Sequence, residues 1–529
     1  MRETPIGWYL FDLLFASMKK KKKGYKVVIF FFTLLIYTTF HMTRKPISVV
    51  KSVLHENCTD KAAKEHKIVT PDNNTFCDWK PFDKDNWSEL LGNLDLAYLL
   101  AYAVSMFCSG HIAERVNIRY FLTIGMFLCG LSTSLFGLGF YLQIHNYYYY
   151  LFVQIFAGMV QASGWPTVVS CMGNWFGKKR RGFLMGLWNA HTSLGNILGA
   201  IIAAAFVETA WGLSFIVPGA IIIGMGIIVF LFLTPYPEDV GCHTAPQTGE
   251  LLGSMHSAVA VIYAGSSSQS QSLVVIKDSS ISTLDYESVN RETQPILSKK
   301  LEIQSNISFL QALLIPGVIE YSLCLFFAKL VSYTFLFWLP TLIKNTGTLD
   351  SKDSANLSAI MDAGGILGGI IAGIINDLTG ASALTCSGML VIAVPYLYVY
   401  YLYGSTQMAA TIILLLFLGI LVNGPYALIT TAVSADLGTH DTLMGNARAI
   451  ATVTAIIDGT GSLGAALGPL LTGLLLTRYG WKSIFIMLMI ATALAAILLT
   501  RRVFKEIVII HKQRKEKLTE RICQEKEYA

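Results

Sequence analysis

The sequence predicts an all-α membrane protein of twelve transmembrane helices, arranged as two pseudo-symmetric six-helix halves. Three observations carry this expectation. The 529 residues are 53% hydrophobic and only 14% charged, with a mean hydropathy of +0.53, whereas a soluble chain carries about 25% charge. Apolar runs long enough to span a bilayer, about 20 residues each, recur between short polar or Gly/Pro breaks. One long polar stretch divides them six and six.

The chain opens with MRETPIGWYLFDLLFASMKKKKKGYK, a short apolar run followed by a lysine block, without a small-residue cleavage site. Residues 1–24 are therefore expected to be a cytoplasmic segment, with the first span as signal anchor. The first half, 25–234, places spans near Phe40, Val104, Leu128, Phe156, Ile197 and Ile223. A polar loop at about 55–90 carries Cys58 and Cys77 and the sequons of Asn57, Asn73 and Asn86. A glycosylated lumenal or extracellular loop closed by one disulfide fits this content, with two free thiols as the alternative. Sequons at Asn306 and Asn356 read as chance matches or as lying on the wrong side. Most of the nine cysteines fall in apolar segments, and no CxxC or Cys/His ligand spacing occurs, so no metal site is expected.

Residues 235–306 are rich in Ser, Gly and Gln (AGSSSQSQS) and have no hydrophobic period, which reads as a disordered cytoplasmic linker. The second half, 307–502, places spans near Val331, Gly364, Ile392, Leu415, Ile457 and Leu488, and residues 503–529 form a basic tail. Cations at Lys19 to Lys23, Arg115, Arg119, Lys178 to Arg181 and Arg501 to Lys517 all fall on one side of this threading, while the loops near His145, Thr209 and Gly404 carry almost none. Both termini are then cytoplasmic, which agrees with the sequons on the opposite side. The net charge of +6 is modest and points to no nucleic-acid partner. Two six-span halves joined by a loose loop are the plan of a secondary transporter with its site at the half–half interface. A weak internal match, GHIAERVNIR after the second span and GGIIAGIINDLTG after the eighth, agrees with it.

Ionisable groups inside spans are the candidate site residues, because they are expensive there and persist mainly where they serve a pathway or ligand. Arg44 and Lys45 lie inside the first apolar segment, in YTTFHMTRKPISVV. Tyr37, His41 and Arg44 are spaced i, i+4, i+7 and share a helix face. The alternative is a helix end with both cations reaching to the interface. Lys329 is a second isolated cation, in the seventh span, and one cation from each half would suit a phosphate monoester. Asp362 is the expected partner of Lys45 across the halves. Asp95 and Glu320 are read as span-end acids, and Asp458, in AIIDGTGSLGAALG, either serves the site or bonds a local kink. His191, Asn189 and Trp165 are further cavity candidates, with simple packing as the alternative for His191 and Trp165. Without a P-loop, zinc pattern or nucleophile elbow, neither an ATP-driven pump nor an enzyme is expected, and no cofactor is implied.

The strings HMTRKPISVVK, GWPTVVSCMGNWFGKKRRG, GLWNAHTSLGNILG, AKLVSYTFLFWLP and NGPYALITTAVSADLGTH closely resemble the sugar-phosphate exchanger family, organophosphate:phosphate antiporters of the major facilitator superfamily. The resemblance covers nearly all spans. It implies a major facilitator fold in the endoplasmic-reticulum membrane, exchanging a sugar phosphate, glucose-6-phosphate first, for inorganic phosphate by alternating access. The more distant bacterial glycerol-3-phosphate antiporter has residues matching Arg44 as phosphate ligand, Lys45, Tyr37 and an acid at Asp362. It departs at Ser332, where it has an arginine that Lys329 would replace, at Met106, at Thr192 beside His191, and at Asn423. The competing readings are a facilitator for another organic anion and a non-transporting phosphate or sugar-phosphate sensor.

Overall fold

The computed structural model describes residues 22–55, 78–113, 115–176, 187–240, 260–263, 272–277, 280–285, 309–346, 349–404, 407–438 and 447–527. The first half contains α1 (Lys22–Arg44), α2 (Pro46–Leu54), α3 (Trp87–Ala113), α4 (Ile118–Tyr141), α5 (Tyr147–Gln161), α6 (Gly164–Trp175), α7 (His191–Phe206) and α8 (Leu213–Phe232). The second contains α9 (Phe309–Leu313), α10 (Val318–Thr346), α11 (Ser351–Thr379), α12 (Ser382–Tyr403), α13 (Met408–Leu428), α14 (Ser434–Gly438) and α15 (Ala447–Leu498), followed by α16 (Thr500–Glu527).

Every one of the twelve expected span centres falls in a helix. Among the described residues eight helices are long and apolar enough to cross a membrane. The remainder of the pattern is less uniform than the hydropathy suggested. The fourth expected span is split into α5 and α6, and the fifth is the 16-residue α7. The eleventh and twelfth run together in α15, whose backbone turns at Gly480 (φ 69°), a left-handed conformation that glycine adopts without steric penalty. The outer faces stay apolar: Ile124, Phe152 and Val391 are more than half exposed, as lipid-facing side chains are.

One stretch differs from its expected character. The stretch expected to be a disordered linker contains a three-stranded antiparallel sheet, β1 (Ala260–Tyr263), β2 (Ser272–Lys277) and β3 (Ser280–Asp285), paired in the order β1-β2-β3. Its Ser/Gly content masked the β-branched run SLVVIK. The basic tail is helical from Thr500 and is docked at its start, where the Glu506 carboxylate accepts from the Ala383 and Leu384 backbone N–H groups at the head of α12.

The halves meet chiefly through α2 with α10, α3 with α15 and α7 with α11, and α2 also touches α11. Small residues allow this closeness. A methyl group added at Gly473 of α15 would overlap the Ser88 carbonyl of α3, and one at Gly92 of α3 would press on the Pro469 carbonyl of α15. A core cluster of Ile47, Leu54, Leu94, Phe337, Trp338 and Ala466 draws on both halves at the end of the bundle that carries the 55–86 connection.

Candidate functional site

The first span is discontinuous, and the break places the cations. Pro46 has no N–H for the Met42 carbonyl and occupies the first position of α2, so α1 ends at Arg44 and α2 starts two residues on. Arg44 and Lys45 are 5% and 1% exposed, enclosed by protein rather than reaching an outer surface. Gly195 and Gly199 of α7 press directly on this segment. Methyl groups there would collide with His41 and Thr38, and with Met42 and Lys45. The spacing in HTSLGNILG thus clamps α7 onto the helix break.

Arg44 has no carboxylate partner among the described residues, and its Nε and Nη2 make no hydrogen bond. Its guanidinium lies 4.7 Å over the Tyr102 ring. Tyr37, Tyr98, Tyr102 and Tyr333 share its electrostatic neighbourhood. It borders a space that also touches Thr43, Tyr98, Gln154 and Gln161. Unmade charge-assisted bonds on a buried guanidinium are unfavourable, and the oxygens of an anion are acceptors that would satisfy them.

Lys45 takes the other role. Its Nζ lies 3.8 Å from Asp362, which also accepts from Asn196 Nδ2 at 2.9 Å. The same Nζ donates to the Leu336 carbonyl of α10 at 3.2 Å. That carbonyl is free because its helical donor position, four residues on, is Pro340. Lys45 and Asp362 line a central cavity of about 850 Å³, part of it open to solvent, together with His41, Asn189, Thr192, Ser332, Asn423 and Tyr426.

Lys329 is 4% exposed and donates to Asp458 at 2.7 Å. It sits 5.6 Å from the Tyr426 ring and shares Tyr102 and Tyr333 as electrostatic neighbours with Arg44. Asp458 thus pairs with a cation, where the kink-bond alternative offered only a local role. Ser332 and Asn423, the two positions that depart from the distant bacterial relative, are bonded to each other at 2.8 Å. Asn423 precedes Pro425, after which the helix widens into a π turn at Ile429–Val433.

Tyr37, His41, Trp165, Trp188 and His191 form one ring cluster, with Tyr37 at 4.7 Å from His191 and 5.4 Å from Trp165. Thr192 Oγ1 bridges His191 Nδ1 (3.2 Å) and His41 Nε2 (3.4 Å). His41 and Asn189 line the central cavity, whereas Tyr37, Trp165 and His191 stand behind that wall. Arg44, Lys329 and Asp458 are not among its lining residues either.

Sequence reasoning missed Lys51 and misjudged Asp95. Lys51 is fully buried and paired with the equally buried Asp95, at the same end of the bundle as the mixed core cluster. It also donates to the Phe337 carbonyl (3.3 Å) and lies 4.2 Å from the Trp338 ring. The signal was present: Lys51 is Arg44 plus seven, on the same side of the segment. Asp95 lies two turns inside α3, not at a span end. Nearby, Lys344 Nζ donates to Ser52 O (2.5 Å) and Ser88 Oγ to Gly473 O (2.9 Å), tying the halves together. Asn86 is exposed just before α3, whereas Asn57, Asn73, Cys58 and Cys77 lie outside the described residues.

Interrupted helices, a half–half cavity and buried cations from both halves are features of a carrier. Residues 26–451 match the model of the Major Facilitator Superfamily. The glucose-6-phosphate exchanger SLC37A2 of Danio rerio is 53% identical over 501 residues, 95% of this chain and 93% of that relative. The chain belongs to the sugar-phosphate exchanger family of the major facilitator superfamily. Within the family, the human glucose-6-phosphate exchangers SLC37A2 and SLC37A1 are 50% and 49% identical, each over 90% of this chain and 91% and 92% of their own lengths. The fold also matches the crystal structure of a bacterial homologue of the human lysosomal transporter Spinster, in an inward-facing, unoccupied conformation. The TM-score is 0.56 at 15% identity, covering 91% of this chain and 98% of that one.

Proposed function

We propose that the protein is an antiporter that exchanges a sugar phosphate, glucose-6-phosphate first, for inorganic phosphate. The observation that carries this is the buried, unpaired Arg44 fork among tyrosines. Arg44 holds the phosphoryl oxygens in bidentate fashion. Lys329, from the other half, completes the charge clamp. His41, Asn189, Thr192 and Asn423 offer the cavity's polar groups to the sugar hydroxyls. The 49–53% identity to named glucose-6-phosphate exchangers supports the same substrate pair.

Lys45 and Asp362 act as a gating pair, because each belongs to a different half and the contact must change when the halves rock. The end with Lys51, Ser52, Ser88 and Lys344 is the lumenal side, reached by the glycosylated, disulfide-closed loop, and both termini are cytoplasmic in the endoplasmic-reticulum membrane. The cation pattern of the connecting segments supports that orientation.

The test is counterflow in proteoliposomes loaded with phosphate. External labelled phosphate should enter, glucose-6-phosphate should compete, and Arg44→Ala should abolish both. Wild-type rates in Arg44→Ala would overturn the site. Entry without internal phosphate, insensitive to glucose-6-phosphate, would point to a different anion carrier. Binding without flux would point to a sensor.

A further inference from the structure

Five cations are buried among the described residues; Arg119 lies at the head of α4, and Arg44, Lys45, Lys51 and Lys329 lie within the helical body. Three of these four have a carboxylate each, Asp362, Asp95 and Asp458, so the empty site carries one uncompensated positive charge, on Arg44. A phosphate monoester or orthophosphate near neutral pH carries between one and two negative charges. Arg44 alone balances the first and leaves the second without a partner.

Lys329 is the cation able to supply that partner, for two reasons. It is buried in the opposite half within a tyrosine environment, 5.6 Å from the Tyr426 ring, as Arg44 lies 4.7 Å over the Tyr102 ring. Its counter-ion is also the least enclosed of the three: the Asp458 side chain is 27% exposed, against 12% for Asp362 and 0% for Asp95. Asp458 can stay hydrated when Lys329 turns away. Asp95 and Asp362 are held by additional enclosure or by a second donor, such as Asn196.

We infer that Asp458 is a tethered competitor for the substrate's second negative charge: it neutralises Lys329 in the empty carrier and yields it to a doubly charged phosphate. This inference rests on phosphate exchange through Arg44 and Lys329. Asp458 does not touch the substrate; it is a positioning residue that acts through Lys329. By opposing full charge pairing, it weakens binding of dianions and speeds their release. The site therefore discriminates by charge as well as by shape. With Asp458 neutral, dianions gain most and monoanions least.

The experiment is phosphate counterflow with Asp458→Asn and Asp458→Cys, with sulfate as a competitor that is always doubly charged. Both variants should lower the half-saturating phosphate concentration and the sulfate inhibition constant about tenfold, while exchange at saturation slows. Modifying Asp458→Cys with a sulfonate-bearing thiol reagent should restore wild-type values, whereas a cationic reagent should not. Asp458→Glu should stay close to wild type. An unchanged or raised half-saturation in variants that melt like wild type would overturn the inference, leaving Asp458 as a prop for Lys329. If Asp458→Asn does not fold, the reagent series on Asp458→Cys decides alone. Failure of the wild-type protein to exchange phosphate at all would instead remove the functional reading on which this rests.

Discussion

Arg44 and Lys51 lie seven residues apart on one segment, about 10 Å along a helix axis, and their surroundings differ in almost every respect. Lys51 is met by a buried carboxylate, a carbonyl and an indole face, inside an apolar cluster contributed by both halves. Arg44 is met by tyrosines and small polar side chains around an open space, with two nitrogens unbonded. One cation is buried as part of a seal. The other is buried with Nε and Nη2 unbonded. The proposed phosphate ligand would complete the unsatisfied charge, so the contrast is between a paired and an unpaired cation within a single helix pair.

The largest effect that would test this contrast is on transport. Arg44→Ala should reduce phosphate exchange by at least about 100-fold, the expected loss of a bidentate charge-assisted contact. Arg44→Lys should recover only part of it, because lysine keeps the charge but not the fork. Stability should move the opposite way. Lys51→Met alone leaves Asp95 charged and unpaired and should destabilise the protein by about 3–5 kcal/mol. Lys51→Met combined with Asp95→Leu should return most of it. Arg44→Met, by contrast, should leave the melting temperature of the purified protein unchanged or higher. A large stability loss in that variant would erase the distinction. Smaller again is Pro340→Ala. It restores a helical donor to the Leu336 carbonyl and takes it from Lys45, costing the cross-half contact about 1 kcal/mol and shifting the half-saturation for phosphate without abolishing exchange. Smallest is Lys344→Ala, which removes one edge bond between the halves and should cost about 0.5–1 kcal/mol in thermal melting.

Much of this was legible from the residues. Each of the twelve hydropathy centres falls in a helix, and the charge count within spans singled out Arg44, Lys45 and Lys329. The cross-half pairing of Lys45 with Asp362 followed from the rule that a buried cation needs a partner. What escaped was pairing between spans remote in sequence. Asp95 resembled a boundary acid because Glu89 and Asn93 make that stretch look polar, yet α3 begins six residues before Asn93, at Trp87. Lys51 looked like the far flank of a span that Pro46 in fact restarts. The partner of Lys329 lay 129 residues away, a distance no local periodicity encodes. The expectation that Arg44 faces the central cavity also shifted: Lys45 lines it, while Arg44 borders a separate space, as consecutive helix residues point about 100° apart.

Lys45 and Lys51 reach across to two consecutive main-chain carbonyls of α10, at Leu336 and Phe337. Side chains at 336 and 337 can therefore change without touching these bonds, whereas one residue inserted or deleted upstream in α10 would rotate both acceptors by about 100° and lose them together. The register between the halves is thus written in chain length and helix phase rather than in residue identity. Each bond is worth about 1 kcal/mol, strong enough to index one resting position and weak enough to be broken and remade at every turnover.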